Sequence, residues 1–230
     1  MRDNPTAVML FAAGFGTRMG ALTATHPKPL VQVSGTALID HTLSWVHQAH
    51  IEKIVVNTHY RSAQIVDHLA GSDALISHES PDILETGGGL RAALPLLGDG
   101  PVFTSNTDAI WKGPNPFETL LAAWNPDIMD ALLLCVPPEN ALGHKGHGDF
   151  LIGDDGQLTR GPGLVFGGVQ IIKTSGLAAI PEKAFSLNVL WNRLQPKGKL
   201  FGIAYSGQWC DVGSPQGLEM AETLLGKNDV

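Results

Sequence analysis

A glycine-rich turn followed by an isolated lysine is the segment of the chain best suited to bind phosphate. The apolar segment from Ala7 to Ala13 leads into Gly14 and Gly16, with Arg18 and Lys28 further along. Glycine permits positive φ and a close approach of the backbone, so consecutive N–H groups can face an anion. The arginine and the lysine add positive charge, and a proline on each side of the lysine restricts its backbone. The pattern predicts a site for phosphate groups.

A dinucleotide-binding fold and a Walker loop both account poorly for this turn. The first needs an acidic residue at the end of the second strand, about 20 residues after the glycines. Asp40 stands at that distance, but it lies within an amphipathic segment that predicts a helix. The Walker loop needs a lysine directly after its last glycine, whereas Lys28 comes well after Gly20. A plain tight turn would leave the convergence of glycines and cations unexplained.

Two aspartates are candidates for a metal site. Asp108 follows an apolar segment that predicts a strand, and open α/β sheets bind ligands beyond the carboxyl ends of their strands. Asp211 lies between a predicted strand and the last predicted helix, from where it could reach the same ion. Mg²⁺ prefers carboxylate, phosphate and water oxygens, so two carboxylates suffice when a nucleotide completes the shell. The alternative is that Asp108 is an ordinary turn residue and that Asp211 caps a turn.

These motifs together resemble the signature of the sugar-phosphate nucleotidyltransferases. That signature is L-A-A-G-x-G-T-R-M followed by P-K-P-L, and this chain has FAAGFGTRMG followed by HPKPL. Further matching segments are LETGGG (84–89), NTD (106–108), GHGDF (146–150), FGG (166–168) and WCDVGSP (209–215). The resemblance spans nearly the whole chain and is strongest to the branch that transfers uridylate to N-acetylmuramic acid 1-phosphate.

The chain departs from the family pattern at two places. Thr107 precedes the first aspartate, where the family usually has glycine. The Glu-Lys pair found near the sugar in the thymidylyl and glucose branches has no counterpart before Phe166. The second departure favours the muramic acid branch over a glucose 1-phosphate assignment.

The resemblance implies a reaction between a nucleoside triphosphate and a sugar 1-phosphate. The branch of the family that the chain resembles implies that the nucleotide is UTP. A phosphate oxygen of the sugar would attack the α-phosphorus, and pyrophosphate would leave. Because that nucleophile is already ionised, catalysis reduces to positioning and charge neutralisation. Arg18 and Lys28 would hold the triphosphate, and Asp108 and Asp211 would bind Mg²⁺. The implied nucleotide-binding residues are Ala12, Ala13, Gly14, Gly16, Thr17, Arg18, Lys28 and the turn formed by Glu85, Thr86, Gly87 and Gly88.

Sugar recognition is assigned to a polar turn and to several isolated positions. The turn GHKGHGD offers donors and an acceptor that suit hydroxyls, an acetamido group or a carboxylate. The candidate sugar-phosphate residues are Asn106, His144, Lys145, Asp149, Gly167 and Asn188. A solvated polar loop is the plain alternative, and zinc at His144 and His147 lacks a third ligand at suitable spacing. Asn188 alternatively caps a helix.

Other functions remain open on these motifs. Within the same enzyme class, the chain could transfer guanylate, thymidylate or cytidylate to another hexose or heptose 1-phosphate. A binding module on the same fold could retain the nucleotide-sugar and lack chemistry, although the intact Arg18, Lys28, Asp108 and Asp211 speak against it. A nicotinamide-dependent dehydrogenase lacks the acidic ribose partner.

Composition agrees with one catalytic domain over residues 1–230. The net charge of −7 and the scattered cations predict no nucleic-acid partner. No apolar run approaches the 18 or more residues of a membrane span, and we expect no targeting segment. Two cysteines without metal-ligand spacing fit the reducing cytoplasm. No feature predicts an oligomeric state.

Strand and helix patterns alternate along the chain and predict an α/β fold, a Rossmann-like and mostly parallel sheet flanked by helices. The predicted strands are 7–13, 53–58, 101–105, 130–136, 164–173 and 200–205, and the predicted helices are 37–50, 61–70, 117–124, 187–194 and 215–225, with another opening at 87–89. Short β segments between 143 and 160 predict a small β-rich lid or subdomain. The parallel strands would bring the phosphate turn and Asp108 to one edge of the sheet.

Overall fold

A seven-stranded sheet forms the centre of the computed structural model, which describes residues 3–226. The strands lie in the order β13-β8-β12-β6-β1-β4-β5. Their bounds are β1 (Ala7–Phe11), β4 (Lys53–Thr58), β5 (Ala74–His78), β6 (Pro101–Asn106), β8 (Ala131–Val136), β12 (Val165–Lys173) and β13 (Leu200–Ala204). Adjacent strands pair in parallel except at β12, which runs antiparallel to both β6 and β8. The predicted mostly parallel α/β sheet is confirmed.

Helices cover both faces of this sheet. Their bounds are α1 (Leu38–Gln48), α2 (Ser62–His68), α3 (Glu85–Leu97), α4 (Pro116–Ala123), α5 (Asn188–Leu194) and α6 (Pro215–Gly226). Side chains of β1 alternate between the faces, so Val8 and Leu10 pack with α1, α2 and α4, whereas Ala7 and Met9 pack with α3 and α5. In the part of the chain that the structure describes, no helix is long and apolar enough to cross a membrane.

Short strands build three smaller pieces around the main sheet. Their bounds are β2 (Gln32–Val33), β3 (Thr36–Ala37), β7 (Ala109–Lys112), β9 (Ala141–Leu142), β10 (Phe150–Ile152), β11 (Leu158–Arg160) and β14 (Gln208–Asp211). A small sheet has the order β7-β14-β9, and the other two pieces are the hairpins β2-β3 and β10-β11. Helix α6 packs on the small sheet through an apolar cluster separate from those on the two faces of the main sheet; it includes Ile110, Cys210 and Ala221.

The sequence patterns missed several of these short elements. Strands β5, β7 and β14 were not predicted, and β1 ends at Phe11, two residues before the predicted end at Ala13. The predicted helix start at 87–89 is wrong, because α3 begins at Glu85 and the three glycines lie inside its first turns. The predicted β-rich segment between 143 and 160 contains the β10-β11 hairpin.

Both cysteines are buried thiols, and we expect neither to react in the folded protein. Cys135 and Cys210 have no exposed surface. Burial, helped by the nearby Asp149 and Asp211 respectively, raises the pKa of Cys135 to about 12 and that of Cys210 to about 11. Both thiols are therefore protonated at neutral pH, while the thiolate is the reactive form. A thiol reagent such as DTNB should label both cysteines in guanidinium chloride and neither in native protein; rapid native labelling would contradict this.

Candidate active site

A cavity of ≈ 310 Å³ lies at the carboxyl ends of β1, β4 and β6. Its lining includes most of the predicted nucleotide residues, together with residues that the sequence did not single out. The lining residues are Phe11, Ala12, Ala13, Gly14, Gly16, Thr17, Arg18, Lys28, Pro29, Asn57, Glu79, Ile83, Glu85, Thr86, Asn106, Thr107, Asp108 and Gly213. The ends of parallel strands are where open α/β sheets bind ligands, so this cavity is the candidate nucleotide site.

The glycine-rich turn is held in shape by short contacts at Gly16. This residue has φ of 64°, and a Cβ added there would lie 2.9 Å from the Cβ of Lys28. The Thr23 hydroxyl donates to the Gly16 carbonyl over 2.9 Å. By contrast, a Cβ at Gly14 would meet no atom within 4 Å. Gly16 is therefore required by the fold of the turn, whereas Gly14 leaves open space on the cavity side.

Lys28 is a nearly buried cation that is aimed at Asp108. Only 8% of the residue is exposed, and its Nζ donates to Asp108 Oδ2 over 2.7 Å. The Asp108 side chain keeps 32% of its surface exposed. Lys28 opens a short 3-10 turn between Pro27 and Pro29, so its backbone has little freedom. The structure thus presents a fixed positive charge beside a carboxylate that is open to the cavity.

Asp211 lies beside Asp108 because β14 pairs with β7. In this antiparallel pair Asp211 is opposite Ala109, and the N–H of Val212 donates to the Asp108 carbonyl over 3.0 Å. Asp211 Oδ2 lies 3.6 Å from Arg18 Nη1, and the arginine side chain is 70% exposed. The two predicted cations and the two predicted metal ligands therefore form two ion pairs. Arg18, Lys28 and Asp108 line the cavity, and Asp211 lies next to that lining.

The donor set at this edge suits a hard cation such as Mg²⁺. Asp108 and Asp211 supply carboxylate oxygens, and their side chains are 32% and 22% exposed. Within residues 3–226 no group of three or more His, Cys, Asp and Glu side chains could enclose a metal. Two carboxylates fit an ion whose remaining ligands come from phosphate and water. Zinc at His144 and His147 finds no third ligand in the same range.

The first turn of α3 reaches the cavity at only two of its four predicted residues. Glu85, with φ of 58°, and Thr86 line the cavity. Gly87 and Gly88 instead donate their N–H groups to the Phe185 carbonyl, over 2.8 and 3.1 Å. Gly87 and Gly88 do not line the cavity, and their N–H groups are engaged by the protein, so their contact with the nucleotide stays a prediction. These glycines allow the segment before α5 to pack closely on α3.

A buried hydrogen-bonded chain that the sequence did not reveal crosses the floor of the cavity. The N–H of Ala12 donates to Asn57 Oδ1, and Asn57 Nδ2 donates to Glu79 Oε1, both over 2.7 Å. The other oxygen, Glu79 Oε2, accepts from the N–H of Leu84 over 2.7 Å. Asn57 and Glu79 are 3% and 2% exposed. The chain ties β1, β4 and the entry to α3 together.

Thr107 replaces the family glycine without loosening the turn before Asp108. Its hydroxyl donates to the Phe11 carbonyl over 2.8 Å, and the residue is 1% exposed. This bond joins the ends of β6 and β1, the two strands that carry Asp108 and the glycine-rich turn. The threonine thus provides a link that glycine cannot make.

A second cavity of ≈ 210 Å³ adjoins the first and shares three lining residues with it, Phe11, Thr86 and Asn106. The predicted sugar residues Asn106, Asp149 and Asn188 line this second cavity. Its other lining residues are Thr104, Phe150, Arg160, Phe166, Gly168, Gln170, Ser186, Leu187 and Trp191. The shared wall suggests one extended site in two compartments.

Three predicted sugar residues lie outside the linings of both cavities. A Cβ at Gly167 would lie 2.5 Å from Trp111, so this glycine packs against that ring, and its neighbour Gly168 faces Asn106. Lys145 is exposed, and the half-buried His144 has an Nε2 without a hydrogen-bond partner among the described residues. Gly168 lines the second cavity and Gly167 does not, and the contact predicted for Gly167 stays a prediction.

Known proteins resemble this chain over most of its length. Residues 8–145 match the sequence profile described as the MobA-like NTP transferase domain. An N-acetylmuramate alpha-1-phosphate uridylyltransferase from Caulobacter vibrioides is 41% identical, with 98% of this chain and 99% of that protein covered. A protein of the same name from Neisseria meningitidis serogroup B is 33% identical, with 95% and 97% covered.

Solved structures with low identity share the fold. HddC from Yersinia pseudotuberculosis, complexed with GMP-PN, has a TM-score of 0.77 at 18% identity and covers 95% of this chain and 99% of its own. A UDP-glucose pyrophosphorylase from Acinetobacter baumanii has a TM-score of 0.77 at 16% identity, covering 96% and 93%. These likenesses concern the architecture alone.

Proposed function

The chain belongs to the MobA-like NTP transferase family, and on this premise we propose that it joins UTP and N-acetylmuramic acid 1-phosphate to form the nucleotide-sugar and pyrophosphate. The observation that carries the transfer chemistry is the meeting of the Lys28–Asp108 and Arg18–Asp211 pairs beside the glycine-rich turn. The choice of UTP and of the muramic sugar is supported by the two relatives that are similar over nearly their full length.

The proposed step forms one bond and breaks one bond at phosphorus. An ionised oxygen of the sugar 1-phosphate attacks the α-phosphorus of UTP, and the bond from this phosphorus to the β-bridging oxygen breaks. The electron pair leaves with pyrophosphate, so no proton has to be removed from the nucleophile. The protein must hold the two phosphates in line and neutralise their charge.

Arg18 and Lys28 are the residues proposed to receive the triphosphate. Lys28 is rigidly placed, and it can reach a phosphate oxygen while Asp108 stays close to it. Arg18 is exposed and flexible enough to turn from Asp211 towards the outer phosphates. Backbone N–H groups at the Gly14 turn, where no side chain intervenes, would supply further donors.

Asp108 and Asp211 are proposed to hold Mg²⁺, which when bound would neutralise charge on the reacting phosphates. The two aspartates are fixed relative to each other by the β7-β14 pairing and the bond from Val212 to the Asp108 carbonyl. Their role here is to provide oxygen ligands at the edge of the sheet nearest the phosphate turn.

Asp211→Asn should weaken the metal site and leave the fold intact. Asparagine keeps one carbonyl oxygen but removes the negative charge, so we expect about a tenfold rise in the Mg²⁺ concentration for half-maximal rate. Rates measured against Mg²⁺, and Mn²⁺ binding followed by EPR with UTP present, would test this. Asp127→Asn is the matched control, since Asp127 is exposed and lines neither of the two cavities. An unchanged metal requirement in the first variant would remove Asp211 from the proposed site.

Pyrophosphate release tests the proposed function directly. UTP, GTP, CTP and dTTP are each combined with N-acetylmuramic acid 1-phosphate and with a panel of other hexose and heptose 1-phosphates. We expect the highest kcat/KM for UTP with the muramic sugar. A different best pair would retain the chemistry and replace the substrates, while no release with any pair would favour a binding module.

The proposed reaction belongs in the cytoplasm and would return a cell-wall sugar to its nucleotide-activated form. Nucleoside triphosphates are available in that compartment. The two cysteines are unpaired, as expected where thiols are kept reduced. Fractionation of cells with an antibody to the protein would test the location.

A further inference from the structure

The second cavity contains a single cationic side chain among the described residues, that of Arg160. We propose that Arg160 selects the muramic sugar by binding the carboxylate of its lactyl group. This inference rests on the proposed function, in which the sugar substrate is N-acetylmuramic acid 1-phosphate. That sugar differs from N-acetylglucosamine 1-phosphate only by a lactyl ether. That ether carries the one negative charge of the sugar besides its phosphate.

Arg160 is held in place by aromatic rings and side-chain amides. Its guanidinium lies 4.4 Å from the centre of the Phe150 ring and 5.5 Å from that of Trp191. Nη2 donates to Asn188 Oδ1 and, over 3.5 Å, to Asn192 Oδ1. These contacts come from the β10-β11 hairpin and from α5, so the head group is fixed between two elements.

The remaining donors of Arg160 are available for an anion. A guanidinium carries five N–H donors, and those on Nε and Nη1 make no hydrogen bond among the described residues. Asp149 lines the same cavity, but its Oδ2 accepts from the N–H of Phe166 over 2.9 Å. Arg160 has no carboxylate partner within 4 Å in the described range. Burial lowers the pKa of the Arg160 guanidinium, and Asp149, which acts through its charge at longer range, raises it in part, but no carboxylate of the described residues forms a direct ion pair with it.

The position of the two cavities determines which end of the sugar meets Arg160. The reacting phosphate must lie near Lys28 and Asp108 in the first cavity, where the nucleotide phosphates are proposed to bind. Thr86 and Asn106 line both cavities, so a sugar attached to that phosphate extends across this shared wall into the second cavity. Its substituents remote from the phosphate then face the aromatic residues and Arg160.

A cavity wall with neutral polar groups alone would accept both N-acetylmuramic acid 1-phosphate and N-acetylglucosamine 1-phosphate. A fixed cation favours the first, because only that sugar carries a carboxylate. Both polar atoms of the Gln170 amide are hydrogen-bonded to protein: Nε2 donates to Thr104, and Oε1 accepts from Trp191 Nε1. Gln170 is therefore not free to bind the sugar. A carboxylate bound to a guanidinium makes charge-assisted hydrogen bonds, which are about twice as strong as neutral ones. Arg160 therefore offers the strongest contact that this cavity can make with the lactyl group.

The test compares three sugars in wild type, Arg160→Gln and Arg160→Lys. The sugars are N-acetylmuramic acid 1-phosphate, its lactyl methyl ester and N-acetylglucosamine 1-phosphate, each with UTP. We expect Arg160→Gln to lower kcat/KM for the acid by about 10- to 100-fold. The ester and the glucosamine compound should change by less than about threefold, and Arg160→Lys should recover part of the activity on the acid.

A direct binding measurement and a matched arginine complete the design. Calorimetry with UDP-N-acetylmuramic acid and UDP-N-acetylglucosamine should show that Arg160→Gln weakens only the former. Arg193→Gln is the control, since Arg193 lies on α5 outside both cavities and donates to the Ala179 carbonyl; it should behave as wild type.

Two outcomes would overturn the inference and are distinguishable from failure of the proposed function. An equal loss on all three sugars would assign Arg160 to the common phosphate or to folding. No loss on the acid would remove Arg160 from recognition. In both cases wild type still uses the muramic substrate, whereas a wild type inactive on every form of that substrate would refute the proposed function and this inference with it.

Discussion

Lys28→Ala is expected to lower kcat by about 10³-fold, because it removes the most rigidly placed charge in the proposed phosphate site. Donors fixed in advance at a reacting phosphate or oxyanion contribute factors of this order. Lys28 is nearly buried, is flanked by two prolines and contacts Asp108 over 2.7 Å, so its charge is held in one place before any substrate binds. The measurement is steady-state pyrophosphate release with UTP and the muramic sugar.

A structural explanation of that loss can be separated from a chemical one. Asp108 keeps a third of its side-chain surface exposed, so water can solvate it once the lysine is removed, and the fold should survive. Thermal melting of Lys28→Ala should lie close to that of Lys197→Ala, a control at an exposed lysine outside the cavity. Near wild-type turnover in folded Lys28→Ala would refute the role assigned to this lysine.

The conformation of the glycine-rich turn was predictable because its constraints are local. Gly16 needs positive φ, and the prolines around Lys28 fix the backbone within a few residues. A family that carries this pattern can then be identified from a short segment, and the profile match over residues 8–145 confirms the family. The buried strands were predictable for a similar reason, since apolar runs such as Ala131–Val136 are the signal of a sheet covered on both faces.

The relation between Asp108 and Asp211 could not be derived from the sequence. It depends on the four-residue strands β7 and β14, whose pairing joins segments about a hundred residues apart. Strands this short have too few residues to show an alternating pattern. The sequence indicated both aspartates as metal ligands, but only the register of β7 with β14 explains why they lie together.

Arg160 and Glu79 were missed because their surroundings are assembled by tertiary contacts. Arg160 contacts Asn188, 28 residues away, and Asn57 contacts Glu79, 22 residues away. Neither residue lies in a motif whose spacing predicts a partner. The glycines at 87–89 show the converse. The sequence predicted nucleotide contacts for Gly87 and Gly88, whereas in the structure the three glycines allow α3 to pack closely against the segment before α5 and against Glu79.

Glu79→Gln is expected to destabilise the protein by about 1–3 kcal/mol, although it changes a single atom type. Both partners of the carboxylate are donors, Asn57 Nδ2 and the N–H of Leu84. A carboxylate only accepts, whereas glutamine must turn an NH₂ group towards one of these donors and leave it unpaired. A buried donor without a partner costs about this much. Urea unfolding monitored by circular dichroism measures the effect.

Asn57 cannot rotate to relieve the mismatch, because its Oδ1 already accepts from the N–H of Ala12. Turning the amide would place its NH₂ group against that N–H, so two donors would face each other next to the glycine-rich turn and one would still lack an acceptor. Glu79→Ala should therefore cost more than Glu79→Gln, since it leaves two donors unpaired at once. Glu222→Gln, an exposed change on α6, should stay within about 0.5 kcal/mol of wild type. An equal free energy of unfolding for Glu79→Gln and Glu222→Gln would show that the two hydrogen bonds accepted by Glu79 do not stabilise the protein.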